Sequence, residues 1–346
     1  MKFLTLLVCS VCINIQSYAA GLVLFNWQEY LSTKVIQKWQ DETGIPLKEV
    51  YYDSDEMRDE VLATKSAEQF DLVIIDSISA QLFGKNNKLL PLTTSEVKNI
   101  TNIEKRWLRS CGNFGVPYFW GTTGIVYRAD KVSSPPTSWK DLLYPSPALS
   151  GHIGMVEDFT DTLIPALKLS GYPIFSENVN HLKAAYELLK QQLPKVLTYN
   201  YIISYISAKP NDEELFMALA YSGDEYSLND LIGKEIWKFV VPKEGTSLWV
   251  DCIAVLNSSK NQQQALTFIN FLNSSEIAAL NANDTGTATA NKAAMPFIDE
   301  ELKSDQSLYP SLEILDKSEP YRIISDKSMS QRNRIMRALS KEHETK

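Results

Sequence analysis

From residue 22 onward the apolar and polar positions fall into blocks that read strand, helix, strand. Leu22 to Asn26 is an apolar run bounded by a glycine and a polar turn, which predicts a buried strand. Ser32 or Thr33 can cap the helix that follows, Val35, Ile36 and Trp39 form its apolar stripe, and Gly44 suits the left-handed position that ends it. Leu47 to Tyr51 predicts the next strand. Asp53-Ser54-Asp55-Glu56 has the cap-then-acid spacing of a second helix start, with Met57 and Val61 on one face, and Asp71-Leu72-Val73-Ile74-Ile75 predicts a third strand. A βαβαβ unit with near-continuous apolar strands implies a parallel sheet covered on both faces.

The stretch from Ser133 to Pro147 is rich in Ser and Pro, and Gly151-His152-Ile153-Gly154-Met155-Val156 opens a new strand. Helices are expected near 159–170, 180–191 and 212–219 and strands near 218–222 and 237–242, which makes a second α/β unit. Leu248 to Leu256 and the helix from Gln263 to Leu272 resume the pattern of the first unit. A helix over roughly 328–340 closes the chain, and Lys341 to Lys346 is expected to fray. The expected fold is α/β with two lobes, each a mixed sheet flanked by helices: 20–127 with 250–300, and 128–249 with 301–346. A cleft between two such lobes is where a small ligand binds.

The first 19 residues change the picture of what must fold. Lys2, the apolar run from Phe3 to Ile15 and the small residues of Ser17-Tyr18-Ala19 read as a cleaved secretory signal, so a periplasmic, soluble mature chain is expected. The apolar run is shorter than the roughly 20 residues that span a bilayer, and stable membrane insertion is not expected. Without it the chain carries 33 basic against 42 acidic residues, a formal net charge of −9. Such a surface is a poor partner for nucleic acid and favours solubility or the attraction of cationic solutes. Cys111 and Cys252 remain in a compartment that permits disulfides; spacing alone leaves a bridge and two buried thiols equally open.

No phosphate-cradling Gly-rich loop, no G-x-G-x-x-G and no G-x-S-x-G elbow is present. His152, His181 and His343 are too scattered for a metal motif, and no cofactor or metal is expected. The informative feature is a set of aromatics beside carboxylates at strand ends: Asn26-Trp27-Gln28-Glu29-Tyr30, Asp158 with Asp161, and Trp249-Val250-Asp251. Aromatic faces can sandwich a methylene chain and attract ammonium groups while carboxylates pin its ends. Each member also has a plainer explanation. Trp27 and Trp249 fit a core as readily as a cleft, Asp158 can cap a helix, and Asp161 can serve a helix dipole. Asp251 resists dismissal, because a carboxylate among Val250, Cys252 and Ile253 must face a cleft or be paired.

At these residues the chain resembles the spermidine/putrescine-binding proteins of bacterial ABC importers. The most specific segments are Asn26-Trp27-Gln28-Glu29-Tyr30, Phe70-Asp71-Leu72-Val73, Val116 to Ile125, Val241-Pro242-Lys243-Glu244-Gly245, Trp249-Val250-Asp251 and Ile269-Asn270-Phe271-Leu272. The resemblance implies a periplasmic-binding-protein clamshell that closes on a polyamine and presents it to an ABC permease in the inner membrane, with no catalysis. It implies that Trp27 and Tyr30 line the cleft from the first lobe, that Asp158 and Asp161 meet one end of the ligand, and that Trp249 and Asp251 stack on it and grip an amine. Elsewhere the chain departs from the family pattern. Asp76 and Ile78 replace a serine and a tyrosine, Tyr221 stands for a tryptophan, Thr287 for a tyrosine, and Arg322 lies near an expected glutamine. Asp76 suits a more highly charged polyamine, whereas Arg322 in the cleft repels one or pairs with Asp76 or Asp161. These changes leave open a receptor for a different amine or zwitterionic solute. A secreted glycoside hydrolase using Asp158 and Asp251, and a sensor on the same fold, are the rivals from other classes.

Overall fold

The computed structural model describes residues 21–52, 54–211 and 213–345. The signal-like segment therefore lies outside the described residues. Among the described residues there are ten strands: β1 (Leu22–Asn26), β2 (Leu47–Tyr51), β3 (Leu72–Asp76), β4 (Val116–Arg128), β5 (Ile153–Gly154), β6 (Val196–Thr198), β7 (Met217–Tyr221), β8 (Trp237–Val240), β9 (Ser247–Val255) and β10 (Glu319–Pro320). They connect in the order β2-β1-β3-β9-β4-β7-β5-β6, with β8 on β4 and β10 on β9.

The sheet is mixed because β9 returns antiparallel between β3 and β4, while β1 pairs parallel with β2 and β3. In β3, Leu72 and Ile74 enter one core with Leu24, Trp39 and Phe268, and Val73 and Ile75 enter another with Phe25, Tyr52 and Leu62. Burial on both faces is what makes this strand continuously apolar. The first helix runs Thr33–Thr43 between Ser32, which accepts from the Lys34 N–H, and a left-handed Gly44 at φ 70°.

β4 joins the lobes. Its first half, Val116 to Thr122, pairs with β9, and its second half, Thr123 to Arg128, pairs with β7 and β8. The second lobe has its own cores around Trp139, Leu163, Leu189 and Leu219 on one side and Trp237, Ile206 and Leu228 on the other. Where the chain crosses, Thr246 Oγ1 donates to the Thr123 carbonyl at 2.6 Å, Ser247 Oγ to Thr123 Oγ1 at 2.7 Å, and the Glu319 N–H to the Thr246 carbonyl at 2.8 Å. Three strand segments thus meet at one narrow waist, the arrangement from which hinge closure works.

Several elements differ from the sequence reading. Residues expected as a helix over 212–219 instead lead into β7, and helices form at Ile202–Ala208 and Asp224–Ile232. The helix expected over 159–170 divides into a 3₁₀ turn, Asp161–Leu163, and a helix, Ile164–Leu169. The last helix spans Asp326–Glu344, so the charged tail continues it. Leu308 packs in the first-lobe core with Leu302, Tyr309 and Leu315 against it, although 301–346 was expected in the second lobe; Ile324, Met336 and Leu339 do pack there. Cys111 and Cys252 form a disulfide, Cα to Cα 5.9 Å, beneath the core that includes Phe25 and Val73.

Candidate functional site

Asp251 lies on β9 directly opposite Asp76 at the end of β3. Tyr30 Oη donates to Asp251 Oδ2 at 2.8 Å. The Tyr30 ring is held in turn, since Tyr118 Oη donates to the Tyr30 carbonyl at 2.7 Å and Asn281 Nδ2 to Tyr118 Oη at 2.6 Å. Burial above all, with the charges of Asp55 and Asp76, pushes the Asp251 carboxyl up to about 7 against the bond from Tyr30 and the charge of Arg58. Trp27 follows β1, half-buried, its ring 4.4 Å from that of Tyr52.

Trp249 crosses between the lobes. It pairs with Gly121 on β4, and a Cβ on Gly121 would lie 2.2 Å from Trp249 Cζ2 and 2.3 Å from Ser222 Oγ. Only a residue without a side chain lets the indole lie across β4 here. Next to Ser222, Tyr221 closes β7 and donates its hydroxyl to Asp161 Oδ2 at 2.5 Å. The Tyr321 hydroxyl donates to Asp161 Oδ1, and the Tyr321 N–H reaches the Leu248 carbonyl at 3.1 Å. Asp161 is 4% exposed; burial and the neighbouring Asp158 push its carboxyl up to about 7 against the two tyrosine bonds. Asp158 Oδ1 accepts the N–H groups of Thr160 and Asp161 at 2.7 and 2.6 Å, in a turn ahead of the 3₁₀ segment rather than at the N-cap expected for it. Each lobe therefore carries one tyrosine-bonded carboxylate, Asp251 with Tyr30 and Asp161 with Tyr221 and Tyr321.

Three candidates stand differently. Asp76 caps the helix Ser77–Lys85, its Oδ1 accepting from Ile78 and Ser79, and its Oδ2 accepts from Arg58 Nη2 at 2.8 Å. Arg322 is exposed, donates to the Phe175 carbonyl at 3.2 Å and lies 6.0 Å from the Phe175 ring centre. The expected pairing of Arg322 with Asp76 or Asp161 is not formed: a guanidinium already holds the first, and two hydroxyls hold the second. Thr287 follows the helix Ser275–Thr285 and Gly286, its hydroxyl donating to the Thr285 carbonyl at 3.3 Å. No hydrogen bond or ring contact among the described residues joins it to the other candidates.

Sequence reasoning missed Arg58, Tyr52, Tyr118 and Tyr321. Arg58 is fully buried and is held charged against the cost of burial chiefly by Asp55 and Asp76. Its signal is that it alone of the helix Asp55–Ala63 is basic, among four acidic residues and three places from Val61.

Two α/β lobes joined by three crossing segments define the two-lobed fold of a solute-binding protein. Residues 34–309 match the bacterial extracellular solute-binding protein family, and the chain belongs to it. It is 34% identical to a protein of Vibrio cholerae named norspermidine sensor, over all of this chain and 95% of that one. A putrescine-binding periplasmic protein of Pseudomonas aeruginosa is 31% identical over 86% of this chain and 85% of its own. The spermidine/putrescine ABC transporter substrate-binding protein of Streptococcus pneumoniae superposes with a TM-score of 0.83 at 25% identity, covering 94% of this chain and all of that one.

Proposed function

We propose that the protein is a periplasmic polyamine receptor that delivers its ligand to an ABC permease, binding by closure about the waist and without catalysis. The observation that carries this is the pair of tyrosine-bonded carboxylates, Asp251 on β9 two residues from Trp249 and Asp161 in the second lobe. A chain of methylenes lies against the indole while its ammonium ends meet the two carboxylates, and a charge paired this way escapes the cost of burial. Trp27, Tyr30, Tyr221 and Asp158 complete the walls. The packing of Leu308 supports assigning residues 302–315 to the first lobe. Native mass spectrometry of freshly purified protein tests the reading: a retained mass equal to a polyamine is expected, and a retained neutral sugar refutes it.

A second reading, a polyamine sensor that does not import, is favoured by the full-length match to the norspermidine sensor. Uptake of labelled polyamine separates the two, being lost on deletion of the gene only under the import reading.

The raised carboxyls predict opposite pH signatures. Burial also pushes Asp224 up to about 7, against bonds from Tyr201 and the Tyr221 N–H. Between the ordinary carboxylate range near 4 and these values the folded chain holds protons that the unfolded chain has released, so apo stability falls as pH rises through that window. A cation needs Asp161 and Asp251 ionised, so affinity rises across the same window, by up to about tenfold per pH unit for each group. Melting curves and titrations from pH 5 to 8 check both slopes; a flat affinity would remove these carboxyls from the ligand.

A further inference from the structure

The Arg58 side chain is 1% exposed, and its nitrogens meet three carboxylates: Asp55 at 2.5 Å, and Asp59 and Asp76 at 2.8 Å each. Nη2 also donates to Ser79 Oγ at 3.1 Å. Asp76 is committed on both oxygens, Oδ1 to the Ile78 and Ser79 N–H groups at 2.9 Å and Oδ2 to Arg58. Yet Asp76 stands directly across the β3–β9 ladder from Asp251, and its side chain keeps 33% exposure. Without its partner it would be a second anionic point beside Asp251. Arg58 also lies 5.7 Å from the Tyr52 ring centre, and that ring packs against Trp27. One buried cation thus joins the carboxylate and aromatic parts of the first-lobe wall.

We propose that Arg58 is a specificity-determining positioning residue: it withdraws Asp76 from the ligand, so that the first lobe offers one carboxylate, Asp251, to one ammonium. This rests on the polyamine reading and adds to it the number of charges the first lobe accepts. A diamine is unaffected, because each of its ends already has a carboxylate. The inner ammonium of a longer polyamine meets, beside Asp251, a carboxylate whose charge is matched by a guanidinium in contact with it, and gains little there.

The test is the ratio of spermine to putrescine affinity, measured by calorimetry on the mature protein. In Arg58→Gln the freed Asp76 should raise that ratio by about tenfold or more, since only the tetra-amine has an ammonium to spare for it. The Arg58→Gln/Asp76→Asn double variant should return the ratio to within about threefold of wild type. A general loosening of the wall would weaken both ligands together and leave the ratio alone. If Arg58→Gln fails to fold, Arg58→Lys decides: a point charge cannot hold three carboxylates at once, so a rise of about threefold is expected. A folded variant with an unchanged ratio overturns the inference and leaves the polyamine reading standing. Wild-type protein that binds neither amine overturns both.

Discussion

Asp251→Asn is expected to weaken polyamine binding by about 2–5 kcal/mol, roughly 30-fold to several thousand-fold, while leaving the fold intact. The asparagine oxygen can still accept from Tyr30 Oη, so the support running from Asn281 through Tyr118 to Tyr30 is kept. On the polyamine reading the lost charge is the partner of an ammonium in a partly buried site, where Coulomb energy is less screened than in water. Apo stability should hold or rise slightly, because the carboxylate stands opposite Asp76 and burial already disfavours its charge. Calorimetric titration beside a thermal melt reads both parts. A variant that melts normally and binds as wild type would remove Asp251 from the site.

Opening the Cys111–Cys252 bridge should produce the largest loss of stability. The disulfide closes a sequence separation of 141 residues and ties the segment before β4 to the centre of β9. By chain-entropy reasoning such a closure restricts the unfolded state strongly, and its loss costs about 2–5 kcal/mol. Both sulfurs sit in the core with Phe25, Val73 and Ile75, so paired serines there would also bury two hydroxyls. The Cys111→Ser/Cys252→Ser protein should therefore melt several degrees lower than wild type, and wild type under reductant should follow it. Because the bridge lies wholly in the first lobe, the affinity of protein that remains folded should change little. Equal melting of oxidised and reduced protein would contradict this.

The first lobe was legible because its local signals agree with its tertiary environment. β1 and β3 are apolar up to their last residues, Asn26 and Asp76, since both faces are covered, and the first helix carries a cap, a stripe and a terminating glycine at the positions the structure uses. The second lobe was harder. The strand expected near 218–222 is present as Met217–Tyr221, but the helix expected over 212–219 is not, because pairing with β4 on one edge and β5 on the other makes Met217 the start of a central strand. Asp161 and Pro165 likewise shorten the expected helix to a turn followed by a brief helix, with the proline in the first turn, where its missing N–H is harmless.

The site divides along the same line. Asp251 announced itself because a charge in an apolar strand demands an explanation, and its answer, Tyr30, lies 221 positions away. Tyr321 escaped notice beside the more conspicuous Arg322, and its role depends on β10 bringing it to β9. Arg58 sits among the charges of its helix and was not singled out; packing against Tyr52 and the end of β3 buries it. Arg322, singled out for its charge, turns to Phe175 instead.

The most direct test is isothermal titration of ligand-free mature protein with spermidine at about pH 8, where Asp161 and Asp251 are ionised. Saturable one-to-one binding that Asp251→Asn weakens by about 30-fold or more is the predicted result. Folded protein that gives no saturable heat with spermidine, putrescine or spermine would contradict a polyamine cleft.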